Sequence, residues 1–169
     1  MIENRKNYRL PFRSKFLIGN EDRVITGHAT NLSAGGVFVM TLRPFARDTR
    51  VKCVFLIDPN VPPVITQAVI KRVVATSPNV DETPGIGLEF LGQPFKDAER
   101  VHEFMENNRQ NFELASTLLS SGEPDLVSLE PLLEKMHLPK FNDMGDLRFY
   151  VERILSSIEL VDRSQGKKS

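Results

Sequence analysis

Near the N-terminus, Arg5-Lys6-Asn7-Tyr8-Arg9 places two arginines four positions apart on a short basic segment. A guanidinium is planar, permanently charged and donates hydrogen bonds in a fork. A pair of them therefore suits phosphate oxygens and the O6/N7 edge of guanine, and either flat face can stack on a base. Further along, Asn31-Leu32-Ser33-Ala34-Gly35-Gly36 sets short neutral hydrogen-bonding side chains beside two glycines. Asn and Ser can pair with the edge of a heterocycle, and glycine lets the backbone approach it closely. Together the two segments form a donor set for a flat, phosphate-bearing ligand. Catalysis has no comparable support: the chain contains no nucleophile elbow, P-loop or dinucleotide-binding glycine fingerprint. The three histidines, His28, His102 and His137, are not at metal-binding spacings and read as structural or surface residues, so no metal site is expected.

The elements that must position these residues follow from patterning. Runs rich in Val, Ile, Phe and Thr at 12–19, 23–31, 36–41, 50–57, 64–77 and 85–91 read as strands. They are punctuated by Gly19-Asn20, Ala34-Gly35-Gly36, Asp58-Pro59-Asn60, Pro62-Pro63, Ser77-Pro78-Asn79 and Pro84-Gly85. Six short strands with no helix between them favour a small antiparallel barrel over a parallel sheet. Beyond Pro94 the spacing turns helical, with helices expected at 96–120, 125–137 and 143–161 and a polar tail from Arg163. In the third, Leu147, Tyr150, Val151, Ile154, Leu155 and Ile158 form an apolar stripe that must be buried somewhere. An intramolecular helical cap is the simpler outcome, and burial on a partner or a second copy is the alternative.

With 169 residues, 40% of them apolar, the chain can build a core. The zero formal charge hides an asymmetry: residues 1–100 carry 14 Lys/Arg against 10 Asp/Glu, and 101–169 carry 8 against 12. A basic arm on a neutral protein fits a small anion better than a long nucleic acid, and Tyr8 is the arm's only aromatic platform for stacking bases. The single cysteine, Cys53, excludes an intramolecular disulfide and reads as a buried strand residue. The N-terminus lacks a signal-peptide core and no run is long and apolar enough for a membrane span, so a cytoplasmic protein is expected.

At these residues the chain resembles the PilZ domain, a bacterial receptor module for cyclic di-GMP. Arg5 and Arg9 fill its RxxxR motif, Asn31, Ser33 and Gly36 fill [D/N]xSxxG, and Gly85-Ile86-Gly87-Leu88-Glu89-Phe90 looks like its closing GxGxxF strand. The resemblance covers roughly residues 3–107. It implies a mainly β fold with added α, in which a six-stranded antiparallel barrel over 1–107 carries an N-terminal ligand-binding arm and a helical extension over 108–169 follows. It also implies a non-enzymatic receptor whose ligand is cyclic di-GMP and which needs no cofactor. In that reading Arg5 and Arg9 clamp guanine and phosphate, Asn31 and Ser33 bond a guanine edge, and Gly36 allows the turn or a close approach. Asn4, Lys6 and Gly35 are secondary candidates, and Asn4 stands where many members carry a basic residue that influences whether one ligand or an intercalated pair binds. The arm would be loose without ligand and close over the barrel mouth with it, a disorder-to-order latch hinged near Pro11. A downstream protein or a second copy would dock on the helices. The alternative is a nucleotide-independent interaction module that acts through those same helices.

Overall fold

Alternation of buried and exposed side chains, broken by bulges in two strands, marks six strands of one antiparallel sheet between Lys15 and Phe90. The computed structural model describes residues 5–78, 82–92, 95–122 and 125–166. A two-residue strand, β1 (Leu10–Pro11), precedes β2 (Lys15–Gly19), β3 (Val24–Leu32), β4 (Gly36–Met40), β5 (Arg50–Phe55), β6 (Val64–Val74) and β7 (Gly85–Phe90). The six longer strands run in the order β3-β2-β5-β6-β7-β4, and β4 pairs back onto β3, so the sheet closes into a barrel. Closure leaves neither end of the six-strand order as a free edge. Five of the six strands fall within the stretches expected from the sequence, and β3 runs one residue past its expected end, to Leu32. The barrel core is built from the inward positions, including Phe16, Ile18, Ala29, Val39, Cys53, Ala68, Ile70, Ile86 and Leu88.

One end of that core is aromatic. Phe16 and Phe55 stack at 4.3 Å between ring centroids, Phe55 stacks on Phe90 at 6.0 Å, and Phe12 meets Phe55 and Phe104 edge-on at 6.2 and 5.4 Å. Offset and edge-to-face rings of this kind add about 0.5–1.5 kcal/mol per pair beyond their burial. Cys53 is completely buried, as its strand context implies, and burial pushes its thiol up to about 12.

Three helices follow: α1 (Ala98–Ser120), α2 (Leu126–Lys135) and α3 (Met144–Ser164). Their starts are set by capping. The Asp125 carboxylate accepts from Ser128 N at 2.9 Å, and the Asp143 carboxylate accepts from the backbone of Gly145 and Asp146. The end of α2 is a Schellman turn. His137 adopts φ 58°, its N–H donates to Glu134 O, and Leu138 N donates to Leu133 O, both at 3.1 Å. This gives His137 a structural place. The α1 stripe Val101, Met105, Asn108, Phe112, Ala115 and Leu119 is buried, as are Leu147, Val151, Ile158 and Val161 of α3. Of the α3 stripe expected to need burial, Leu147, Val151 and Ile158 find it within this chain, while Tyr150, Ile154 and Leu155 are half-buried. Helix α3 ends at Ser164 rather than 161, because Val161 is still buried and Asp162 is held by an ion pair to Arg109. Among the described residues no helix is long and apolar enough to cross a membrane.

Two compact units divide the chain. One is Phe12–Phe104, the barrel with the first turns of α1. The other joins the residues up to Pro11 with those from Met105 onward.

Candidate functional site

In the barrel unit the site is the β3–β4 turn and the strand beside it. Ala29 pairs with Val39 but Asn31 pairs with Phe38, so Thr30 is the extra residue of a β-bulge. The bulge reverses the inward–outward phase. Ile25 and Ala29 face the core before it, Leu32 faces the core after it, and Asn31 is moved to a half-buried outer position. Without the bulge, simple alternation would aim the Asn31 amide at the core. Its hydrogen bond among the described residues is a long one, from Nδ2 to Thr30 Oγ1 at 3.5 Å.

Ser33 organises the turn. Its N–H donates to Gly36 O at 2.8 Å. Its hydroxyl accepts from Gly35 N at 3.3 Å and Gly36 N at 3.1 Å, and donates to Gly36 O at 3.3 Å. With the side chain only 8% exposed, one donor and two acceptor sites are all occupied within the turn. Gly36 is required sterically: a Cβ there would lie 2.1 Å from Leu88 O. Gly35 accepts from Phe90 N at 2.9 Å, which ties the turn to the end of β7.

The two glycine-bearing motifs, distant in sequence, are neighbouring strands. Gly36 pairs with Glu89, Phe38 with Gly87 and Met40 with Gly85. A Cβ at Gly85 would lie 2.9 Å from the Phe38 ring, and one at Gly87 would be 4.0 Å from it. The glycines of β7 thus clear an outer shelf for Phe38, while Phe90 of the same motif turns into the aromatic core.

Arg5, Lys6 and Arg9 lie in the other unit, with exposed side chains on a non-helical segment. Asn4 lies outside the described residues. Between the arginines, Tyr8 is half-buried, and its hydroxyl donates to Glu106 Oε1 of α1 at 2.8 Å. Arg109, one turn further along α1, places its guanidinium 5.5 Å from the Tyr8 ring centre. Its Nη2 also donates to Asp162 Oδ2 of α3 at 2.7 Å. Burial and the Glu106 hydrogen bond push the Tyr8 phenol well above its ordinary value of 10.0. Burial opposes the charge on Arg109, but the hydrogen bond and attraction from Asp162 outweigh it. Gln165 Nε2 donates to the Arg5 carbonyl at 3.2 Å. The segment expected to be loose is thus held at two points by α1 and the end of α3. Nothing in the motif spacing points to these partners, since Tyr8 and Glu106 are 98 positions apart.

The family model for the PilZ domain matches residues 3–107. A search of curated proteins found no match. Solved structures similar to this chain include the Bacillus subtilis inhibitor of motility MotI/DgrA, at 20% identity and TM-score 0.55, with 65% of this chain and 53% of that one covered. The PilZ domain of Escherichia coli YcgR with c-di-GMP aligns at 14% identity and TM-score 0.54, covering 67% of this chain and 98% of that one. The K. pneumonia MrkH–c-di-GMP complex aligns at 18% identity and TM-score 0.53, covering 63% and 53%. The chain spans about half the length of the first and third of these proteins.

Proposed function

This chain belongs to the PilZ domain family, and from that premise we propose that it is a non-enzymatic receptor for cyclic di-GMP. The observation that carries the reading is the intact ligand set of the family. Arg5 and Arg9 are exposed, and the Asn31–Gly36 turn is built to its full hydrogen-bonding capacity by Ser33. Two of the structural neighbours are complexes with c-di-GMP, in line with the same chemistry.

The two guanidinium groups answer the ligand's two phosphates and the O6/N7 edges of its guanines. Asn31 offers a donor and an acceptor to a guanine edge from its outer position. Ser33 acts by shaping the turn that carries Asn31, because its own hydroxyl is already satisfied. Gly35 and Gly36 keep the turn free of side chains. Binding between the arginine segment and the barrel surface changes how that segment packs, and this change is the signal. The helices then present it to a downstream protein in the cytoplasm, with Leu114 and Leu118 of α1 and Phe149 and Leu160 of α3 as the exposed apolar side chains available.

Isothermal titration of the full chain with cyclic di-GMP tests this, with Arg9→Ala and Ser33→Ala in parallel. Saturable binding is expected, weakened about 10–100-fold by Arg9→Ala, the worth of a charge-assisted hydrogen bond. Absence of binding by the folded wild type overturns the receptor reading in favour of a nucleotide-independent module working through the helices.

A further inference from the structure

Helices α1 and α3 grip the arginine-bearing segment in the middle of its motif. Tyr8 sits between Arg5 and Arg9, and its ring is fixed at the hydroxyl by Glu106 (2.8 Å) and on its face by the Arg109 guanidinium. Arg109 does not float. It is joined to Asp162 of α3 at 2.7 Å and lies 3.6 Å from Glu113 on its own helix. A second tie, from Gln165 Nε2 to the Arg5 carbonyl, holds the backbone at the other end of the motif. The chain from Arg5 to Tyr8 therefore hangs on two helices that are far away in sequence, while the side chains of Arg5 and Arg9 point to solvent. A segment this short, left untethered, would lose conformational freedom on closing around a ligand, and that loss would come out of the affinity.

We propose that Tyr8 is a positioning residue for ligand capture, and that Glu106, Arg109 and Asp162 form the relay by which α1 and α3 pre-order Arg5 and Arg9 and register their engagement. This rests on the receptor reading above and gives the helical extension a task in it. Arg109 is surrounded by Glu106, Glu113 and Asp162, so the helices present a net acidic face to a segment that carries Arg5, Lys6 and Arg9. The coupling is reciprocal by linkage. If the relay tightens ligand binding, bound ligand tightens the relay by the same factor, and the last turn of α3 becomes better protected.

The test is titration of the full-length protein with cyclic di-GMP, comparing wild type with Tyr8→Phe, Tyr8→Ala, Glu106→Gln, Glu106→Ala, Asp162→Asn and the Tyr8→Ala/Asp162→Asn double variant. Thermal unfolding of each confirms that it is folded. Tyr8→Ala is expected to weaken binding about tenfold and Tyr8→Phe, which keeps the ring against Arg109, about threefold. Glu106→Gln removes a charge but retains an acceptor for the phenol, so it should weaken binding less than Glu106→Ala, which removes both. Equal losses in the two would leave only the acidic surface and overturn the role of the phenol contact. Asp162→Asn should weaken binding, and its effect should largely vanish in the Tyr8→Ala background. Hydrogen exchange at residues 5–9 and 161–165 should slow together on ligand addition. Unchanged or tighter binding by folded Tyr8→Ala, or additive losses in the double variant, overturns the relay and leaves the receptor reading standing. Should Tyr8→Ala fail to fold, wild-type affinity in Tyr8→Phe and Asp162→Asn overturns it equally. Lack of binding by wild type removes the receptor reading itself, and the relay with it.

Discussion

Gly36→Ala isolates the steric rule at the centre of the motif turn. An added Cβ would stand 2.1 Å from Leu88 O, whereas a carbon–oxygen contact needs roughly 3.3–3.6 Å. The obstructing atom is a backbone carbonyl of β7, the strand paired with β4, so no side-chain rotation relieves it. The strands must part by about 1 Å at the end where Phe90 N donates to Gly35 O, and Ser33 loses its grip on the Gly36 N–H. Overpacking strain of about 1–3 kcal/mol and one or two weakened hydrogen bonds of about 1 kcal/mol each put the cost near 3 kcal/mol. For a chain of this length that lowers the thermal midpoint by roughly 6–12 °C. Gly87→Ala is the control. Its nearest obstacle is Arg72 Cβ at 3.3 Å, a contact relieved by a shift of a few tenths of an ångström rather than a parting of strands, so the cost should stay below about 1 kcal/mol. Circular dichroism melts of both variants measure this. A Gly36→Ala midpoint no lower than that of Gly87→Ala would refute the reasoning.

Cys53, the only cysteine in the chain, is fully buried and its thiol is pushed up to about 12, so a thiol reagent at pH 8 should leave the native protein unmodified and react fully once it is unfolded. Rapid labelling of the native protein would show that β5 opens. The tyrosines give an alkaline signature. Burial, then the Glu106 hydrogen bond, raises Tyr8 above 10.0, and burial raises Tyr150, so the native state favours neutral phenols. That stabilisation is complete below pH 10 and is lost as pH climbs through the folded-state values. Absorbance of tyrosinate should accordingly rise at higher pH in native than in denatured protein, and equal midpoints would contradict the Tyr8 contacts. At the start of α2, the Ser128 N–H holds the Asp125 carboxyl below its ordinary 3.8, so its capping contribution is present above that pH and lost as pH falls through the lower folded value. Asp125→Ala should reduce thermal stability at neutral pH and match wild type in acid. A difference that persists in acid would mean the cap is not the cause.

Strand and helix positions were legible because they depend on local patterns. Alternation such as Lys15 exposed, Phe16 buried, Leu17 exposed and Ile18 buried is visible in the residues themselves, as are the glycine and proline breaks between strands. Boundaries shifted where a tertiary contact intervened. Asp162, just beyond the helix expected over 143–161, lies inside α3, where Arg109 is there to meet it.

For the candidate site the sequence by itself determined the chemistry on offer: two forked cations, an amide and hydroxyl on a short turn, and glycines at intervals. Side-chain type and near-neighbour spacing carry that information. Tertiary structure alone decided what each residue does with its chemistry. Pairing of β4 with β7 makes Gly36 a steric necessity against Leu88 and sets Gly85 and Gly87 beneath Phe38. A single-residue bulge at Thr30 turns Asn31 outward, and the closed turn spends the Ser33 hydroxyl internally. Tyr8 acquires Glu106 and Arg109 only when the N-terminal segment packs on α1. Those outcomes hinge on which surfaces pack together across long loops, and the free energy that selects them is spread over the whole core rather than written in any short stretch of residues.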